Sequence, residues 1–259
     1  MRRQGIRSGL LLVSLLLFPL TIYFFSPLVA FKSAAAGVVC GSLLVYSLEF
    51  LGAVFVGRAF CGWIMPCGGL QEACFAANKR RAPGGRLNWL KWFAWAPYVG
   101  LLAFLFLRAG GIGAVEPLRE TDHGVSISEP RRFLIYYAVV GVMTFFGMIV
   151  ARRAFCHYLC LMAPFMILGR KLRNLLRLPA LQLARTAKEC VDCGSCSRAC
   201  PMSLDVAAMA RSGRPESAEC ILCGSCADAC PQGALRLSFG RPPTLAAARA
   251  LVGEAPKST

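Results

Sequence analysis

Two cysteine-rich runs near the C-terminal end of the chain share one spacing. The first is Cys190-Val-Asp-Cys193-Gly-Ser-Cys196-Ser-Arg-Ala-Cys200-Pro201. The second is Cys220-Ile-Leu-Cys223-Gly-Ser-Cys226-Ala-Asp-Ala-Cys230-Pro231. Both follow the pattern C-x2-C-x2-C-x3-C-P. A pattern of this length that occurs twice indicates that both runs do the same chemistry.

This spacing is typical of bacterial ferredoxins with two [4Fe-4S] clusters. Three closely spaced cysteines surround one cluster, and the fourth cysteine of the run ligates the other cluster. Gly194 and Gly224 suit a tight backbone path around a cluster, and Pro201 and Pro231 turn the chain at the end of each run. The spacing therefore predicts one cluster held by Cys190, Cys193, Cys196 and Cys230, and a second held by Cys220, Cys223, Cys226 and Cys200.

Zinc sites and disulfide bonds are the alternative uses of these cysteines. Zinc sites usually combine two separated C-x2-C units, whereas each run here is a triplet followed by Cys-Pro. Disulfide bonds require an oxidising compartment. The pattern therefore favours iron–sulfur clusters, and with them an electron-carrying protein.

The composition points to a membrane. The chain has 259 residues, of which 56% are hydrophobic, and its mean hydropathy is +0.56. A soluble domain is normally less apolar, and about 20 apolar residues in a helix cross a bilayer. Four apolar stretches of suitable length run from about Ser8 to Phe31, from Ser33 to Gly57, from Trp89 to Leu107 and from Phe133 to Val150.

The first stretch is longer than the apolar core of a cleaved signal peptide, so we expect it to be retained. The predicted fold is therefore membrane α-helical, with four transmembrane helices in two repeated hairpins and a C-terminal ferredoxin-like α+β domain. We expect the transmembrane domain over residues 1–169, an amphipathic connector over 170–186, the ferredoxin domain over 187–240 and a tail over 241–259. Within the ferredoxin domain we expect a short helix at Leu204–Met209 and an edge strand near Gly233–Leu237.

The basic residues predict an orientation. They lie before the first stretch, between the second and third, and after the fourth, and they include Arg2, Arg3, Arg7, Arg58, Lys79, Arg80, Arg81, Arg152, Arg153, Arg170 and Arg173. Such residues mark the cytoplasmic side, although Arg131 and Arg132 run against the pattern. We therefore expect a multi-pass protein of a bacterial or archaeal inner membrane, with both termini and the ferredoxin domain in the cytoplasm. The net charge of +16 then reflects contact with lipid, and no basic–aromatic groove pattern predicts nucleic-acid binding.

An internal repeat follows the second and fourth stretches. Arg58-Ala-Phe-Cys61-Gly-Trp63 and Arg153-Ala-Phe-Cys156-His-Tyr158 share Arg-Ala-Phe-Cys and an aromatic residue at the same offset. Side-by-side packing of two hairpins would bring four thiols together, and four thiolates can hold a third iron–sulfur cluster or another metal. These thiols are Cys61, Cys67, Cys156 and Cys160.

Other roles remain open for the repeat thiols, for Cys74 and Cys40, and for His123. The four thiols of the repeat could instead be structural, because free cysteine behaves as a small hydrophobe. Cys74 is a candidate substitute ligand, and Cys40 is expected to serve packing only. His123, between Glu116 and Glu129, could take a proton, although a simple solvated connector is the favoured reading of that segment.

These motifs resemble those of the four-span polyferredoxins related to NapH, the membrane subunit that passes electrons toward periplasmic nitrate reductase. They are also similar to the membrane cores of NosR, from the nitrous-oxide reductase system, and of CcoG, a cytochrome oxidase assembly protein. Family members usually carry C-x3-C-P at both membrane motifs, whereas Met65 stands here for the second cysteine and Leu161 for the proline. The departures indicate a distinct branch.

The resemblance implies electron transfer between the quinone pool or a cytoplasmic donor and a partner reductase. One alternative is an assembly or maturation factor that reduces or inserts a copper-type metal, because Cys61, Met65, Cys67, Cys156 and Cys160 are soft ligands. A redox-sensing regulator is another. We expect redox partner proteins and membrane lipid as partners, with quinone as a candidate. Without a nucleotide-binding glycine loop or a nucleophile triad, a standalone enzyme is disfavoured.

Overall fold

The computed structural model describes residues 2–82, 86–186, 188, 190–213 and 215–242. Helices make up most of the chain up to Leu176, and a two-stranded sheet with three short helices follows. The predicted tail lies outside the described residues beyond position 242.

The first predicted span is bent rather than straight. It comprises α1 at Arg2–Leu16, α2 at Phe18–Thr21 and a 3-10 turn at Ile22–Phe25. The two parts meet at an angle of 61°. Pro19 explains the break, because proline has no N–H and its ring clashes with the carbonyl group four residues earlier.

The turn after this bend is held inside the helical domain. Helix α3, Pro27–Ala35, begins here with Ser26 as its N-cap. The hydroxyl of Tyr46 donates a hydrogen bond to the carbonyl oxygen of Phe25 at 3.4 Å. The hydroxyl of Tyr98 donates to the carbonyl oxygen of Pro27 at 3.2 Å. The turn therefore lies between the helices that carry these two tyrosines.

Two of the four predicted spans are helices long and apolar enough to cross a membrane. These are the 22 residues Leu87–Arg108 and the 21 residues Pro130–Val150. The first consists of a 3-10 turn at Arg86–Trp89 and α7 at Leu90–Arg108, and the second of α8 at Pro130–Phe145 and a π-turn at Phe146–Val150. Helix α4, Gly41–Val56, has only 16 residues, or about 24 Å at 1.5 Å per residue, which is less than the roughly 30 Å of a bilayer core.

At one end of these helices, two three-residue strands pair in parallel. They are β1 at Val38–Cys40 and β2 at Ala114–Glu116, with Val38 opposite Ala114. At the other end lie the two copies of the sequence repeat. Each copy is a five-residue helix followed by a helix with proline at its first or second position. In the first copy these are α5 at Ala59–Trp63 and α6 at Pro66–Ala73. In the second they are α9 at Ala154–Tyr158 and α10 at Ala163–Leu176.

The predicted amphipathic connector over 170–186, broken at Pro179, corresponds to parts of two elements, and its place at the lipid surface stays a prediction. Its first part belongs to α10, which packs along α4. Its second part is strand β3, Ala180–Arg185, which pairs antiparallel with β4, Leu235–Gly240. Pro179 separates the two parts because proline cannot continue a helix. The remaining short helices are α11 at Ser195–Arg198, α12 at Val206–Arg211 and α13 at Ser225–Asp228. Helix α12 and strand β4 agree with the predicted short helix and edge strand to within a few residues.

Candidate iron–sulfur centres

The structure gathers eight cysteines of the two runs around two cavities. One cavity is lined by the first cysteine group, Cys190, Cys193, Cys196 and Cys230. The other is lined by the second cysteine group, Cys200, Cys220, Cys223 and Cys226. Each group thus takes three cysteines from one run and the fourth from the other.

The two runs fold alike. Gly194 and Gly224 precede α11 and α13 with φ of 67° and 77°, values that glycine adopts without strain. Asp192 and Leu222, two residues before these glycines, have φ of 52° and 51°. This shared left-handed turn wraps the first three cysteines of each run around its cavity.

The environment of these cysteines suits a soft metal cluster. Most of the other side chains that line the cavities are apolar, including Ala207, Leu235, Ile221 and Leu237. Burial raises the pKa of Cys200 to about 11 and also raises that of Cys226. Thiols in such a place become thiolates only when a metal compensates their charge, so cluster binding there releases protons.

The two groups differ in their contact with solvent and with the helical domain. Cys193 is exposed, and neighbouring Val191 is 58% exposed. The second group is instead covered. The indole N–H of Trp63 donates to the carbonyl oxygen of Leu222 at 3.1 Å, and a Cβ on Gly62 would lie 2.3 Å from the carbonyl oxygen of Ile221.

Helix α1 covers the second group from another side. Arg3 donates to the carbonyl oxygen of Gly224 at 3.2 Å and pairs with the carboxylate of Asp228. Gln4 donates to the carbonyl oxygen of Cys223 at 3.0 Å. The N-terminal helix and the second cysteine run therefore hold each other in place.

The repeat brings a third set of thiols together, the membrane-edge cysteine group of Cys61, Cys67, Cys156 and Cys160. All four are buried in one apolar cluster. The thiols of Cys67 and Cys156 lie close enough for each to shift the pKa of the other, and Cys61 Sγ lies 3.7 Å from Met166 Sδ. Cys74 lies apart from them, with its Sγ against Gly147, and buried Cys40 is the N-terminal flanking residue of α4.

The thiols of this group have unequal acidities. The hydrogen bond with Cys67, helped by the charges of Arg153 and Arg58, lowers the pKa of Cys156 to about 7. Burial raises the pKa of Cys61 to about 11 and that of Cys160 to about 12. In the described parts of the chain, no three His, Cys, Asp or Glu side chains converge on a position for a single metal ion.

Two partly buried carboxylates link the repeat to the rest of the molecule. Glu72 accepts two hydrogen bonds from Arg7 at 2.8 and 2.7 Å and also pairs with Arg153. Glu219, which precedes Cys220, pairs with Arg58 at 2.7 Å and with Lys91. Burial favours the neutral acids, but the cations outweigh it and lower the pKa of both carboxyl groups.

This burial corrects the charge count made from the sequence. Five of the arginines that the count assigned to the cytoplasmic surface are buried and ion-paired inside the protein: Arg7, Arg58, Arg153, Arg170 and Arg173. Arg58 and Arg153 are 0% exposed. Both open a copy of the repeat, so the shared Arg-Ala-Phe-Cys motif carries a buried cation as well as a thiol.

His157 is a further link that the sequence did not reveal. Its Nε2 lies 3.1 Å from the carbonyl oxygen of Met202, and its Nδ1 lies 3.2 Å from the Asn88 side-chain amide. Burial lowers its pKa to about 4, so the ring is neutral at pH 7. His157 thus joins the second repeat to the segment between the two cysteine runs.

An apolar cavity of about 210 Å³ adjoins the membrane-edge cysteine group. One wall is the bent N-terminal segment, including Phe18 and Phe25, and another is α8, including Val139. Its floor contains Met65, Cys67, Cys160 and Met162. The cavity therefore offers an apolar ligand a place directly against two of the four thiols.

Glu49 is a candidate functional residue that sequence reasoning missed. It lies in apolar helix α4 and is 6% exposed, and neither carboxylate oxygen has a hydrogen-bond partner within the described chain. The signal was a single acidic residue in the stretch from Ser33 to Gly57, because ionisable groups at membrane depth usually have a function.

Comparison with known protein families agrees with this geometry. Residues 189–235 match the 4Fe-4S dicluster domain. Residues 41–83 and 133–179, which contain the two copies of the repeat, both match the 4Fe-4S binding domain. The chain is thus an iron–sulfur protein with ferredoxin-type domains and two [4Fe-4S] clusters, and its two long apolar helices fit a membrane protein.

Among individual proteins, the chain is similar to the methylamine utilization ferredoxin-type protein MauN of Methylobacillus flagellatus, with 27% identity over 68% of this chain and 60% of MauN. It is 29% identical to the protein NirI of Paracoccus denitrificans over 50% of this chain and 20% of NirI. It is 25% identical to YccM of Escherichia coli over 67% of this chain and 48% of YccM. The chain thus matches at most about three fifths of the length of these relatives. No solved structure matches it significantly. The specific resemblance to NapH, NosR or CcoG stays a prediction.

Proposed function

We propose that this protein is a membrane-bound relay that passes electrons between the quinone pool or a cytoplasmic donor and a partner reductase. The observation that carries the proposal is the order of the three cysteine groups. The first group reaches solvent at Cys193, and the second is pressed against Gly62, next to Cys61 of the third. The third adjoins an apolar cavity.

In this proposal each cysteine group holds one [4Fe-4S] cluster, which supplies one-electron chemistry when bound. The first and second groups are the ligands of the two ferredoxin-type clusters, and the membrane-edge group is the ligand set of a third. The similarity of both repeat segments to a 4Fe-4S binding domain supports the third cluster, as does the burial of its four thiols.

The helical domain would place the relay in the membrane. We infer four crossings in which α4 and the bent N-terminal segment join the two long helices, with the ferredoxin domain in the cytoplasm. Cations on exposed or half-exposed side chains mark the cytoplasmic face of a membrane protein, and five of them lie at or next to the ferredoxin domain: Lys79, Arg80, Arg81, Arg152 and Arg198.

The cavity supports exchange with a lipid-soluble hydroquinone. Its apolar walls suit such a ring, and Cys67 and Cys160 lie at its floor. Oxidation of a hydroquinone releases two electrons and two protons. The electrons would leave singly through the cysteine groups. The two protons would pass to water; Glu49, a buried carboxyl group without a hydrogen-bond partner in the described chain, does not line this cavity.

A second candidate function is handling of a copper-type metal. It is favoured by the sulfur-rich floor of the cavity, where Met65 and Met162 accompany Cys67 and Cys160, because thioethers and thiolates select Cu(I). Titration with Cu(I) separates the two functions. Equal binding by the native protein and by a variant with serine at all four membrane-edge positions would reject a copper site there.

The test of the main proposal is iron analysis and EPR of anaerobically purified protein. Three four-iron clusters predict about twelve iron atoms per chain, and two predict about eight. Replacing the membrane-edge cysteines by serine should remove one EPR signal from the dithionite-reduced protein and about four iron atoms. Iron near zero in the native protein would overturn the relay.

A further inference from the structure

The proposed relay meets solvent at a single cysteine. Of all the chain's cysteines, only Cys193 is exposed. The second group is covered by Trp63, Arg3 and Gln4. A partner that approaches from solution therefore comes closest to the metal centres at the loop that contains Cys193.

A basic ridge leads to this loop, formed by Lys79, Arg80, Arg81, Arg152 and Arg198. Hydrogen bonds join Arg80, Arg152 and Arg198 into one surface. The backbone N–H of Arg152 donates to the carbonyl oxygen of Arg80 at 2.9 Å, and its guanidinium donates to the carbonyl oxygen of Arg198 at 3.4 Å. Arg198 in turn donates to Ser195 Oγ at 2.9 Å, and Ser195 is the hydroxyl next to Cys193 Sγ, at 3.5 Å.

Within the described residues the ridge has no ion-pair partner, although Asp205 lies close enough to Arg81 to feel its charge. No carboxylate of the described chain forms an ion pair with any of its five members. The acid nearest to the loop in sequence, Asp192, pairs with Arg211 instead. Arg81 donates to the carbonyl oxygens of Ser203 and Leu204, both at 3.1 Å, so the ridge is also anchored to the segment between the two runs.

We propose that the basic ridge docks an acidic protein that carries a one-electron redox group at its surface, of the flavodoxin or small ferredoxin class. This inference rests on the proposed relay function and names the partner at its solvent end. Opposite charges steer such a partner into productive encounters and can raise association rates by about 10- to 1,000-fold. In the transfer itself one electron leaves the carrier and one [4Fe-4S] centre gains it, or the reverse, and no bond forms or breaks.

Anionic lipid headgroups are the competing occupant. They would account for Lys79 and Arg80, which lie in the loop after the first copy of the repeat. They would not account for Arg198, whose guanidinium is held against the cysteine loop by Ser195. The position of Arg198 beside the exposed thiol therefore favours a redox protein over lipid.

The test uses the full protein in nanodiscs of neutral phosphatidylcholine and reduced flavodoxin as the probe. Stopped-flow absorbance gives the second-order rate constant of cluster reduction. We expect this constant to fall steeply when added salt shortens the Debye length from about 30 Å to about 10 Å. The double variant Arg80→Glu/Arg198→Glu should be about tenfold slower or more at low salt and close to native at high salt.

Two controls keep the result interpretable. Arg108→Glu reverses one positive charge at the C-terminal end of α7, away from the ridge, and should leave the rate constant unchanged. The milder variant Arg80→Gln/Arg198→Gln should show a smaller loss than the double reversal if charge, rather than folding, is responsible. Cluster absorbance per chain verifies that every variant is loaded.

The outcomes separate the partner from the relay. If flavodoxin reduces the double variant at the native rate at low salt, the ridge does not dock it and the docking proposal is wrong. If dithionite still reduces the clusters normally in that variant, the relay proposal stands. Clusters that dithionite fails to reduce would overturn the relay itself. If the double variant loses only its affinity for vesicles that contain phosphatidylglycerol, the ridge binds lipid and the redox-partner proposal is wrong.

Discussion

Arg153 donates a hydrogen bond from its Nη1 to the carbonyl oxygen of Cys61 at 3.1 Å. The arginine that opens the second copy of the repeat thus holds the cysteine of the first copy. The same guanidinium pairs with Glu72 on α6. One fully buried cation therefore ties both repeats together at the point where their thiols meet.

Replacing this cation should dismantle the membrane-edge group. Arg153→Leu leaves Glu72 with Arg7 as its remaining partner and removes the donor to Cys61. Breaking a buried ion pair costs about 3–5 kcal/mol, so we expect a clearly lower thermal midpoint and, because the proposed third cluster would lose its ligand set, loss of about four iron atoms per chain. The exposed Arg80→Leu is the matched control and should change neither. Full iron content in Arg153→Leu would contradict this role.

Acid should release the ferredoxin domain from the helical domain. Arg58 and Lys91 lower the pKa of Glu219. A carboxyl group with a lowered folded-state pKa stabilises the fold above its unfolded pKa of about 4.3 and loses this effect as the pH falls through the folded-state value. Thermal unfolding measured from pH 7 to pH 3 should therefore show a drop below about pH 4. In Glu219→Gln, stability should be lower at pH 7 and this drop smaller.

Crossed ligation predicts which cysteines share a spectroscopic signal. Cys190→Ser and Cys230→Ser should weaken the same EPR signal, because both thiols line one cavity. Cys220→Ser and Cys200→Ser should weaken the other. If Cys230→Ser instead affects the signal that Cys220→Ser affects, each run holds its own cluster and the assignment fails.

The contact between Gly62 and Ile221 should be sensitive to a single methyl group. A Cβ at Gly62 would lie 2.3 Å from the carbonyl oxygen of Ile221, and forced repacking of this kind costs about 1–3 kcal/mol. We expect Gly62→Ala to be less stable and to separate the ferredoxin domain from the membrane-edge group, seen as faster limited proteolysis between them. Gly52→Ala is the control, since no atom lies within 4 Å of its Cβ position, and it should be neutral or slightly stabilising.

Filling the apolar cavity should block only the membrane end of the relay. Val139 lines the cavity on α8, and Val139→Trp should lower the rate of cluster reduction by a soluble hydroquinone such as duroquinol by at least about tenfold, since the bulky ring occupies the ligand's place. Reduction by dithionite should stay normal. Leu134→Trp, on the same helix but 75% exposed, is the control. Equal rates in both variants would place hydroquinone oxidation elsewhere.

Local patterns sufficed for the parts of this protein that depend on short stretches of chain. The spacing of the two runs predicts the same two sets of cysteines that line the two cavities, because a tight loop around three thiols is a local structure. The repeat of Arg-Ala-Phe-Cys likewise appears as two five-residue helices with the same residue offsets. The apolar stretches predicted four spans, of which two appear as helices long and apolar enough to cross a membrane.

Other features depended on partners far away in sequence. Residues 180–185 fall in the predicted amphipathic connector, and only their pairing with β4, some fifty residues later, makes them a strand. The arginines of the repeat look like surface charges, and only packing brings Glu72 and Glu219 to them and makes their burial tolerable.

By itself, then, the sequence determined the chemistry: thiols at cluster spacing, repeated, beside apolar helices. Tertiary structure decided which thiol group reaches solvent and which adjoins the apolar cavity. The reason is physical. Cysteine spacing acts over a few residues, whereas burial, ion pairing and close backbone contact at Gly62 arise only when distant segments pack together.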